Sequence, residues 1–242
     1  MIKKIIKKIL NYFNLKVVKI NIHKPLKHPF PVPTKEEIQL IQTSKGILHI
    51  GAHRGTEAAV YDWFNKAVLW VEADPNIFEE LRINIKKHYN QKAICALLGD
   101  KTETKIPFYV SNNDGACSSI FKFSDGVINR KLWTDRNFFT KKIIYLKMIT
   151  LDAIVKKNKI DIKNYDYWIM DIQGAELLAL KGAKECLNFC KSIQIEISKI
   201  NYYQNGAKWS EIKNFLESNK FTLIKDPLYD HTEVLFKKSE NN

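Results

Sequence analysis

The residues best suited to chemistry are carboxylates at the ends of short apolar runs. Glu72 ends one such run, Asp171 follows a second, and Glu196 lies near the end of a third. A carboxylate can accept a hydroxyl proton, bind a divalent cation, or accept hydrogen bonds from ribose hydroxyls. Each of these roles requires several polar groups to meet in one pocket, so the elements that carry them must converge.

The stretch from Gly46 to Asp74 predicts a unit that brings such ends together. An apolar run at 47–50 ends in Gly51, Gly55 follows, and a helical stretch leads to a second run that closes on Glu72. Strand, glycine turn, helix and strand are typical of nucleotide-binding α/β folds. Because the Gly-x-x-x-Gly turn lacks the Gly-x-Gly-x-x-Gly fingerprint for a pyrophosphate, it favours a nucleoside ligand, with S-adenosylmethionine as the candidate. The alternative is a plain tight turn.

We expect the cofactor to contact this turn and the polar residues at neighbouring strand ends. Glu72 is the predicted partner of the ribose hydroxyls. Asp100 is the predicted partner of the adenine edge, although a turn residue explains it nearly as well. Arg54 either reaches the methionine carboxylate or a substrate acid, or is a solvated surface charge. The full predicted cofactor set is His49, Gly51, Ala52, His53, Arg54, Gly55, Glu72, Ala73, Asp100 and Asp171.

Asp171 is the predicted catalytic residue. Methyl transfer from a sulfonium is an in-line displacement that depends mainly on positioning, but an alcohol acceptor must also lose its proton. Asp171 would accept that proton, or hold a divalent cation such as Mg²⁺ that activates the hydroxyl. Glu196, at the end of the neighbouring predicted strand, is the second predicted catalytic or metal-binding acid. Glu176 is expected to stabilise the start of a helix.

Residues 111–145 form the least regular part of the chain and are predicted to be a lid or acceptor-recognition segment. Aromatic residues interleaved with polar ones suit the recognition of a sugar ring. The alternative is a plug over the core. The predicted acceptor contacts are Ser118, Ser119, Trp133 and Arg136.

The order of elements predicts the fold class. Strands and helices alternate, and two closing strands near the C-terminus indicate an antiparallel pair. We therefore expect an α/β, Rossmann-like domain with a mostly parallel central sheet, helices on both faces and an antiparallel C-terminal strand. This domain is expected at 34–242, after a basic amphipathic leader and Pro-rich connector at 1–33.

The net charge of +13 is concentrated in the leader, where residues 1–33 contain eight lysines and no acidic residue. A nucleic-acid-binding protein more often carries its charge on the folded domain, so we expect no nucleic-acid partner. Apolar residues at helical spacing in 1–20 predict an amphipathic helix, and one role for it is to lie on an anionic membrane. Alternatively, this helix packs on the domain or on a partner. The sequence does not predict an oligomeric state.

The four cysteines form no C-x-x-C pair and no His/Cys cluster with zinc spacing. Cys186 and Cys190, one helical turn apart, are expected to be small packing residues, and a reducing cytoplasm is the simplest compartment. No apolar run approaches the roughly 20 residues of a membrane span. We therefore expect a cytoplasmic protein, with peripheral contact on the cytoplasmic face of the membrane as an option. His88 and His231 are isolated in the sequence and are expected at the surface.

Seven motifs occur in a recognisable order: His49-Ile-Gly-Ala-His-Arg-Gly-Thr-Glu57, Val71-Glu-Ala-Asp-Pro-Asn76, Gly99-Asp100, Thr150-Leu-Asp152, Met170-Asp-Ile-Gln-Gly-Ala-Glu176, Leu180-Lys-Gly-Ala183 and Ile195-Glu-Ile-Ser198. In this order they resemble the FkbM family of S-adenosylmethionine-dependent methyltransferases. The resemblance spans roughly residues 46–237. It implies a class I methyltransferase fold and methylation of a hydroxyl on a sugar, a glycan or a related metabolite.

Two other functions stay open at this point. One is an NAD-dependent oxidoreductase of the same fold class, which the missing middle glycine of the first turn disfavours. The other is a non-catalytic, membrane-associated component of a glycan-assembly complex. Binding of S-adenosylhomocysteine rather than NADH would exclude the first, and turnover would exclude the second.

Overall fold

The computed structural model describes residues 34–129, 131–132, 137–224 and 226–239. The predicted leader, 1–33, lies outside them. The helices are α1 (Lys35–Thr43), α2 (Ala58–Trp63), α3 (Pro75–Ile85), α4 (Asp125–Ile128), α5 (Leu151–Lys157), α6 (Glu176–Lys181) and α7 (Trp209–Ser218). The strands are β1 (Gly46–Ile50), β2 (Ala67–Glu72), β3 (Gln91–Cys95), β4 (Leu97–Leu98), β5 (Glu103–Ser111), β6 (Thr140–Ile149), β7 (Tyr167–Met170), β8 (Ser192–Ser198), β9 (Phe221–Leu223) and β10 (His231–Lys238).

Seven strands form the main sheet in the order β3-β2-β1-β7-β8-β10-β9. Strands β3, β2, β1, β7 and β8 are parallel, whereas β10 pairs antiparallel with β8 and β9. The predicted mostly parallel sheet with an antiparallel C-terminal strand is therefore confirmed. The order of strands reverses between β1 and β7, and open α/β sheets bind ligands at the carboxyl ends of their strands at such a point.

Helices cover both faces of this sheet, as the sequence predicts. On one face, Leu48 and Ile50 of β1 share a core with apolar residues of α5, α6 and α7. On the other face, Ile47 shares a core with residues of α1, α2 and α3. Because both faces are covered, every residue of β1 and of β7 is buried, which explains their continuous apolar runs.

The start of α3 is set by the residue types just after β2. The Asp74 side chain accepts a hydrogen bond from Asn76 N at 2.9 Å, and Pro75 occupies the first helical position. The sequence predicted this cap. It fixes the direction in which the chain leaves Glu72 and therefore the position of that carboxylate.

A second sheet, of order β4-β6-β5, corrects the sequence interpretation in two places. Residues 140–145, the end of the segment expected to be irregular, belong to the ten-residue strand β6, which pairs antiparallel with β5. The apolar run at 93–98 predicts one buried strand, but this run is divided at Ala96, because Leu97 and Leu98 pair with β6 instead of β2. Three lysines in β6 conceal its alternation of apolar and polar residues.

The sequence at 177–189 predicts one helix after the Asp171 turn, but the helix in the structure is shorter. It ends at Lys181, and a 3-10 helix follows at Cys186–Phe189. Cys186 and Cys190 are both buried, which confirms their predicted packing role. In the part of the chain that the structure describes, none of the helices combines the length and hydropathy needed to cross a bilayer.

Candidate active site

The turns that follow β1 and β7 lie side by side at the carboxyl edge of the main sheet. Gly51 N donates to Val71 O at 2.9 Å, and Asp171 N donates to Ile50 O at 3.0 Å. Gly51 has φ +84°, and a Cβ atom there would lie 1.8 Å from the Asp171 carbonyl oxygen. Only glycine fits this position, so the residue type itself allows the two turns to meet.

We expect Gly51→Ala to destabilise the fold by at least about 2 kcal/mol, because it adds both backbone strain and an overlap with Asp171. Chemical unfolding followed by circular dichroism measures this change. Gly126→Ala is the matched control, since the new Cβ would meet side-chain atoms alone, those of Leu132 from 3.0 Å and of Ser124 at 3.7 Å. Equal stability of the two variants would contradict the close approach of the turns.

Glu72 is buried at the end of β2 with its carboxylate directed at the glycine turn. Oε2 accepts from His53 N and Oε1 accepts from Asp74 N, both at 2.8 Å. Burial raises the pKa of Glu72 to about 7 although these hydrogen bonds oppose the shift. Each oxygen has a second lone pair, so the carboxylate can accept two further hydrogen bonds, as from a ribose diol.

The other residues of the predicted cofactor turn have structural contacts. The Arg54 guanidinium forms an ion pair with Glu80 at 2.6 Å, which supports the surface-charge alternative for this residue. A Cβ on Gly55 would lie 2.6 Å from Leu81, so the lack of a side chain at Gly55 allows α3 to pack closely against this turn. Ala52 is buried in the same core, and Ala73 packs against the second sheet. Their cofactor contacts stay predictions.

His49 lies in the core. Its Nδ1 is 3.2 Å from the Tyr61 hydroxyl, and its ring stacks on Trp70 with centroids 4.8 Å apart. Burial lowers the pKa of His49. The side chain is therefore a neutral packing group, and its predicted cofactor contact applies to the backbone alone. Asp100 is exposed in the turn after β4, where its predicted adenine contact also stays a prediction.

Three carboxylates meet beyond the glycine turn. Oxygens of Asp171, Glu176 and Glu196 lie within 4.8 Å of one another. Gln173 connects two of them, because its Nε2 donates to Asp171 Oδ1 and, at 2.7 Å, to Glu196 Oε2. The sequence predicted that Asp171 and Glu196 would come together, and the structure adds Glu176. We call these three residues the acid cluster.

Glu176 has the structural role that the sequence predicts. Its Oε1 accepts from Ile172 N at 2.9 Å and from Gly174 N at 3.2 Å. These bonds stabilise the turn before α6, where Gln173 and Gly174 have φ +57° and +95°. The turn directs Gln173 into the acid cluster.

Gln173 and its support Tyr203 are site residues that the sequence interpretation missed, whereas its other support, Ser119, was predicted as an acceptor contact. The Tyr203 hydroxyl donates to Gln173 Oε1 at 2.6 Å, and the Ser119 hydroxyl donates to Gln173 O at 2.8 Å. His231 is also part of the site, with Nε2 3.1 Å from Glu196 Oε1 and Nδ1 2.8 Å from Ser198 Oγ. The signal for Gln173 was its place inside the Asp-Ile-Gln-Gly-Ala-Glu motif. No comparable signal marked His231.

The surface prediction was wrong for both isolated histidines. His231 is half-buried against Glu196, and burial lowers its pKa. His88 is 6% exposed, and its Nδ1 is 3.1 Å from an Asp62 oxygen. Both positions result from long-range packing that the local sequence does not reveal.

A pocket opens beside the acid cluster. It is lined by Gly174, Glu176, Glu196, Ile197, Ser198, Ile200, Asn201, Tyr202, Tyr203, Gly206, Ala207 and Ile212. Two tyrosines together with two carboxylates provide a surface on which a polar ring could bind. Of the predicted acceptor contacts, Ser118 and Ser119 are buried in loop hydrogen bonds. Trp133 and Arg136 lie outside the described residues. All four acceptor contacts stay predictions.

Burial raises the pKa of five carboxyl groups near this edge of the sheet. The pKa of Glu196 rises to about 8 and those of Glu72, Glu176 and Glu233 to about 7. The pKa of Asp171 is raised well above its ordinary value by burial and then by the negative charge of Glu196. Each of these five groups therefore binds its proton more tightly in the folded chain than in the unfolded chain.

The raised pKa values of these carboxyl groups predict how the stability of the fold depends on pH. Because the folded-state pKa values exceed the unfolded ones, these groups contribute stability that is fully present below about pH 4.5 and is lost as pH rises through 7 to 8. The lowered pKa values of His49 and His231 act in the opposite direction only below about pH 6.5. We therefore expect Tm to fall between about pH 7 and 8 in differential scanning calorimetry. A Tm that rises over this pH range would contradict the raised pKa values of the carboxyl groups.

The strand order, the close-packed glycine turn and the buried acid after β2 define a Rossmann-like α/β protein of the nucleotide-binding class. A family model described as "Methyltransferase FkbM domain" matches residues 49–223. The chain therefore belongs to the FkbM methyltransferase family, and its fold is that of a class I methyltransferase. This excludes the oxidoreductase alternative.

Solved structures with a similar fold include three methyltransferases. The Geobacter metallireducens precorrin-6y C5,15-methyltransferase has a TM-score of 0.45 and 10% identity, covering 90% of this chain and 96% of its own. An Aquifex aeolicus SAM-dependent methyltransferase has a TM-score of 0.43 and 10% identity, covering 84% and 87%. The Synechocystis PCC 6803 magnesium protoporphyrin IX methyltransferase, with bound SAM, has a TM-score of 0.42 and 8% identity, covering 84% and 77%. Curated proteins give no significant match.

Proposed function

We propose that this protein transfers a methyl group from S-adenosylmethionine to a hydroxyl of a sugar, a glycan or a related metabolite. The position of Asp171 carries the proposal. Its backbone contacts the glycine turn expected to bind the cofactor, and its carboxylate belongs to the acid cluster beside the pocket. A group in that position can contact both the methyl donor and an acceptor.

The chemistry requires a base, and the surroundings of Asp171 make it a stronger one. The acceptor oxygen attacks the methyl carbon, the carbon–sulfur bond breaks, and the electron pair goes to sulfur to give S-adenosylhomocysteine. The hydroxyl proton goes to the Asp171 carboxylate. A carboxylate of ordinary pKa is a weak base toward an alcohol, whereas the raised pKa of Asp171 improves proton transfer near neutral pH.

Gln173 positions this base. Its side-chain amide donates to both Asp171 and Glu196, while Tyr203 and Ser119 hold the amide and the backbone carbonyl of Gln173. Asp171 is therefore restricted to one orientation, which is the requirement for an in-line displacement.

The acid cluster also fits a divalent cation such as Mg²⁺. Three carboxylates whose oxygens lie within 4.8 Å provide the hard oxygen ligands that this ion prefers. Asp171 and Glu196 would be the ligands, joined by Glu176. When bound, the ion would lower the pKa of an acceptor hydroxyl.

Transfer of label from methyl-labelled S-adenosylmethionine to a panel of nucleotide sugars and purified oligosaccharides tests the proposal. We expect label in a hydroxyl-containing acceptor and formation of S-adenosylhomocysteine. Assays with EDTA and with added Mg²⁺ test the cation separately. Failure of the chain to bind S-adenosylhomocysteine in calorimetry would contradict the cofactor assignment. Labelling of nitrogen or carbon alone would contradict the hydroxyl acceptor.

A further inference from the structure

The outer side of the second sheet is an exposed surface of alternating cationic and apolar residues. Along β6, every second residue points away from the core formed by Phe108, Val110 and Met148. In the antiparallel register, Pro107 lies opposite Tyr145, and Tyr109 lies opposite Ile143. We define the outer face as Lys105, Pro107, Tyr109, Lys122, Lys141, Ile143, Tyr145 and Lys147.

The apolar side chains of this face are in contact with solvent. Tyr145 is 69% exposed and Ile143 is 50% exposed. Phe139, which directly precedes β6, is 51% exposed. Side chains of this size are rarely exposed together on a monomer unless they bind something.

The charge of the outer face has one sign. Strands β5 and β6 contain four lysines and one acidic residue, Glu103, which pairs with Lys101 at 2.7 Å. Among the described residues, Lys105, Lys141 and Lys147 form no ion pair. Lys122 Nζ lies 5.8 Å from the centre of the Tyr109 ring, so cation and aromatic groups are interleaved.

Charge decides which partner fits. The lysine-rich leader and a second copy of this face would both be repelled, because they carry the same sign. An anionic bilayer fits, since lysines contact lipid phosphates while tyrosine and isoleucine enter the interface. We propose that the outer face docks on the surface of an anionic phospholipid membrane.

Docking in this way would place the acid cluster near the lipid surface. Tyr109 of the outer face pairs through its backbone with Ser119, and the Ser119 hydroxyl donates to Gln173 O. If the leader also lies on the membrane, which is one of the two roles expected from its sequence, two weak contacts act together, and stable anchoring usually requires two. The inference does not depend on the methyl-transfer proposal.

Co-sedimentation of the full chain with vesicles tests the inference. The vesicles are phosphatidylcholine with about one quarter phosphatidylglycerol, and phosphatidylcholine alone is the neutral comparison. Each lysine near an anionic bilayer changes the partition coefficient about fivefold, so Lys141→Glu with Lys147→Glu should lower it at least about 25-fold. Tyr145→Ser should lower it a few-fold. The charge-matched control is Lys157→Glu with Lys184→Glu, which replaces two exposed lysines outside the outer face. We expect the control to change the partition coefficient by less than about threefold.

Equal binding of the outer-face and control variants would overturn the proposal and leave membrane contact to the leader. Equal binding of the wild type to charged and neutral vesicles would overturn it as well. So would binding to single-stranded RNA without binding to vesicles. Unchanged Tm and S-adenosylhomocysteine affinity in the outer-face variant would show that folding and the cofactor site are intact.

Discussion

Asp171→Asn is expected to lower kcat by about 10²–10⁴-fold, the usual contribution of a general base, while the affinity for S-adenosylhomocysteine changes by less than about threefold. Asparagine has nearly the same shape, and its amide oxygen can still accept the hydrogen bond from Gln173. Unlike the aspartate carboxylate, the asparagine amide cannot take up the proton of the substrate hydroxyl. Single-turnover methyl transfer and calorimetric titration measure the two quantities separately.

Asp161→Asn is the matched control for this variant. Asp161 is exposed, and its side chain caps a short 3-10 helix, a role that asparagine performs equally well. Full activity of the control with loss of activity in Asp171→Asn would support catalysis by Asp171. Loss of S-adenosylhomocysteine binding in Asp171→Asn would instead assign a cofactor-binding role. Full activity of Asp171→Asn would remove Asp171 from the reaction.

Glu72→Gln is expected to weaken S-adenosylhomocysteine binding by about 30–100-fold, equivalent to about 2–3 kcal/mol for a charge-assisted pair of hydrogen bonds. The carboxylate accepts from two backbone N–H groups and can accept two ribose hydroxyls besides. The glutamine side chain would place its NH2 group, a donor, against one of these backbone N–H donors. It would therefore also lose one of the two hydrogen bonds to the backbone. Isothermal titration with S-adenosylhomocysteine measures the loss.

The pH dependence of the same titration identifies the group. Because the pKa of Glu72 is about 7 in the free protein, affinity should fall as pH drops below 7, and this dependence should be absent in Glu72→Gln. Glu79→Gln is the control, since Glu79 is exposed and pairs with Arg82 on α3. An unchanged affinity in Glu72→Gln would place the ribose elsewhere.

Much of the candidate site could be predicted because its parts are local patterns. Gly51, Glu72 and Asp171 each end a continuous apolar run, and such runs are typical of parallel strands buried on both faces. Parallel strands bring their carboxyl ends to one edge, so the meeting of these residues follows from the fold class. The structure confirms that the Gly51 and Asp171 turns are in contact.

The parts that could not be predicted depend on long-range packing. His49 lies within the apolar run of β1, next to the glycine turn, but its ring is enclosed by Tyr61 and Trp70. His231 lies beside Glu196 because β10 pairs with β8, and the sequence separation of 35 residues conceals that contact. Local pattern identifies where a strand ends but not which side chains meet there.

The second sheet shows the same limit in the fold. A strand is recognised when polar and apolar residues alternate, but β6 has consecutive lysines at 141–142 and consecutive isoleucines at 143–144. Its partner β5 is irregular as well, with a shift of register between Glu103 and Ile106. Only the pairing of the two strands reveals the exposed outer face.

The central claim is that the carboxyl ends of β1, β2 and β7 form one S-adenosylmethionine site with Asp171 beside the transferred methyl group. A crystal structure of the chain with S-adenosylhomocysteine tests it most directly. The account predicts both ribose hydroxyls within about 3.2 Å of Glu72 oxygens and the ligand sulfur between the Gly51 turn and Asp171. A ligand bound away from Glu72, or a sulfur that faces away from the acid cluster, would contradict it.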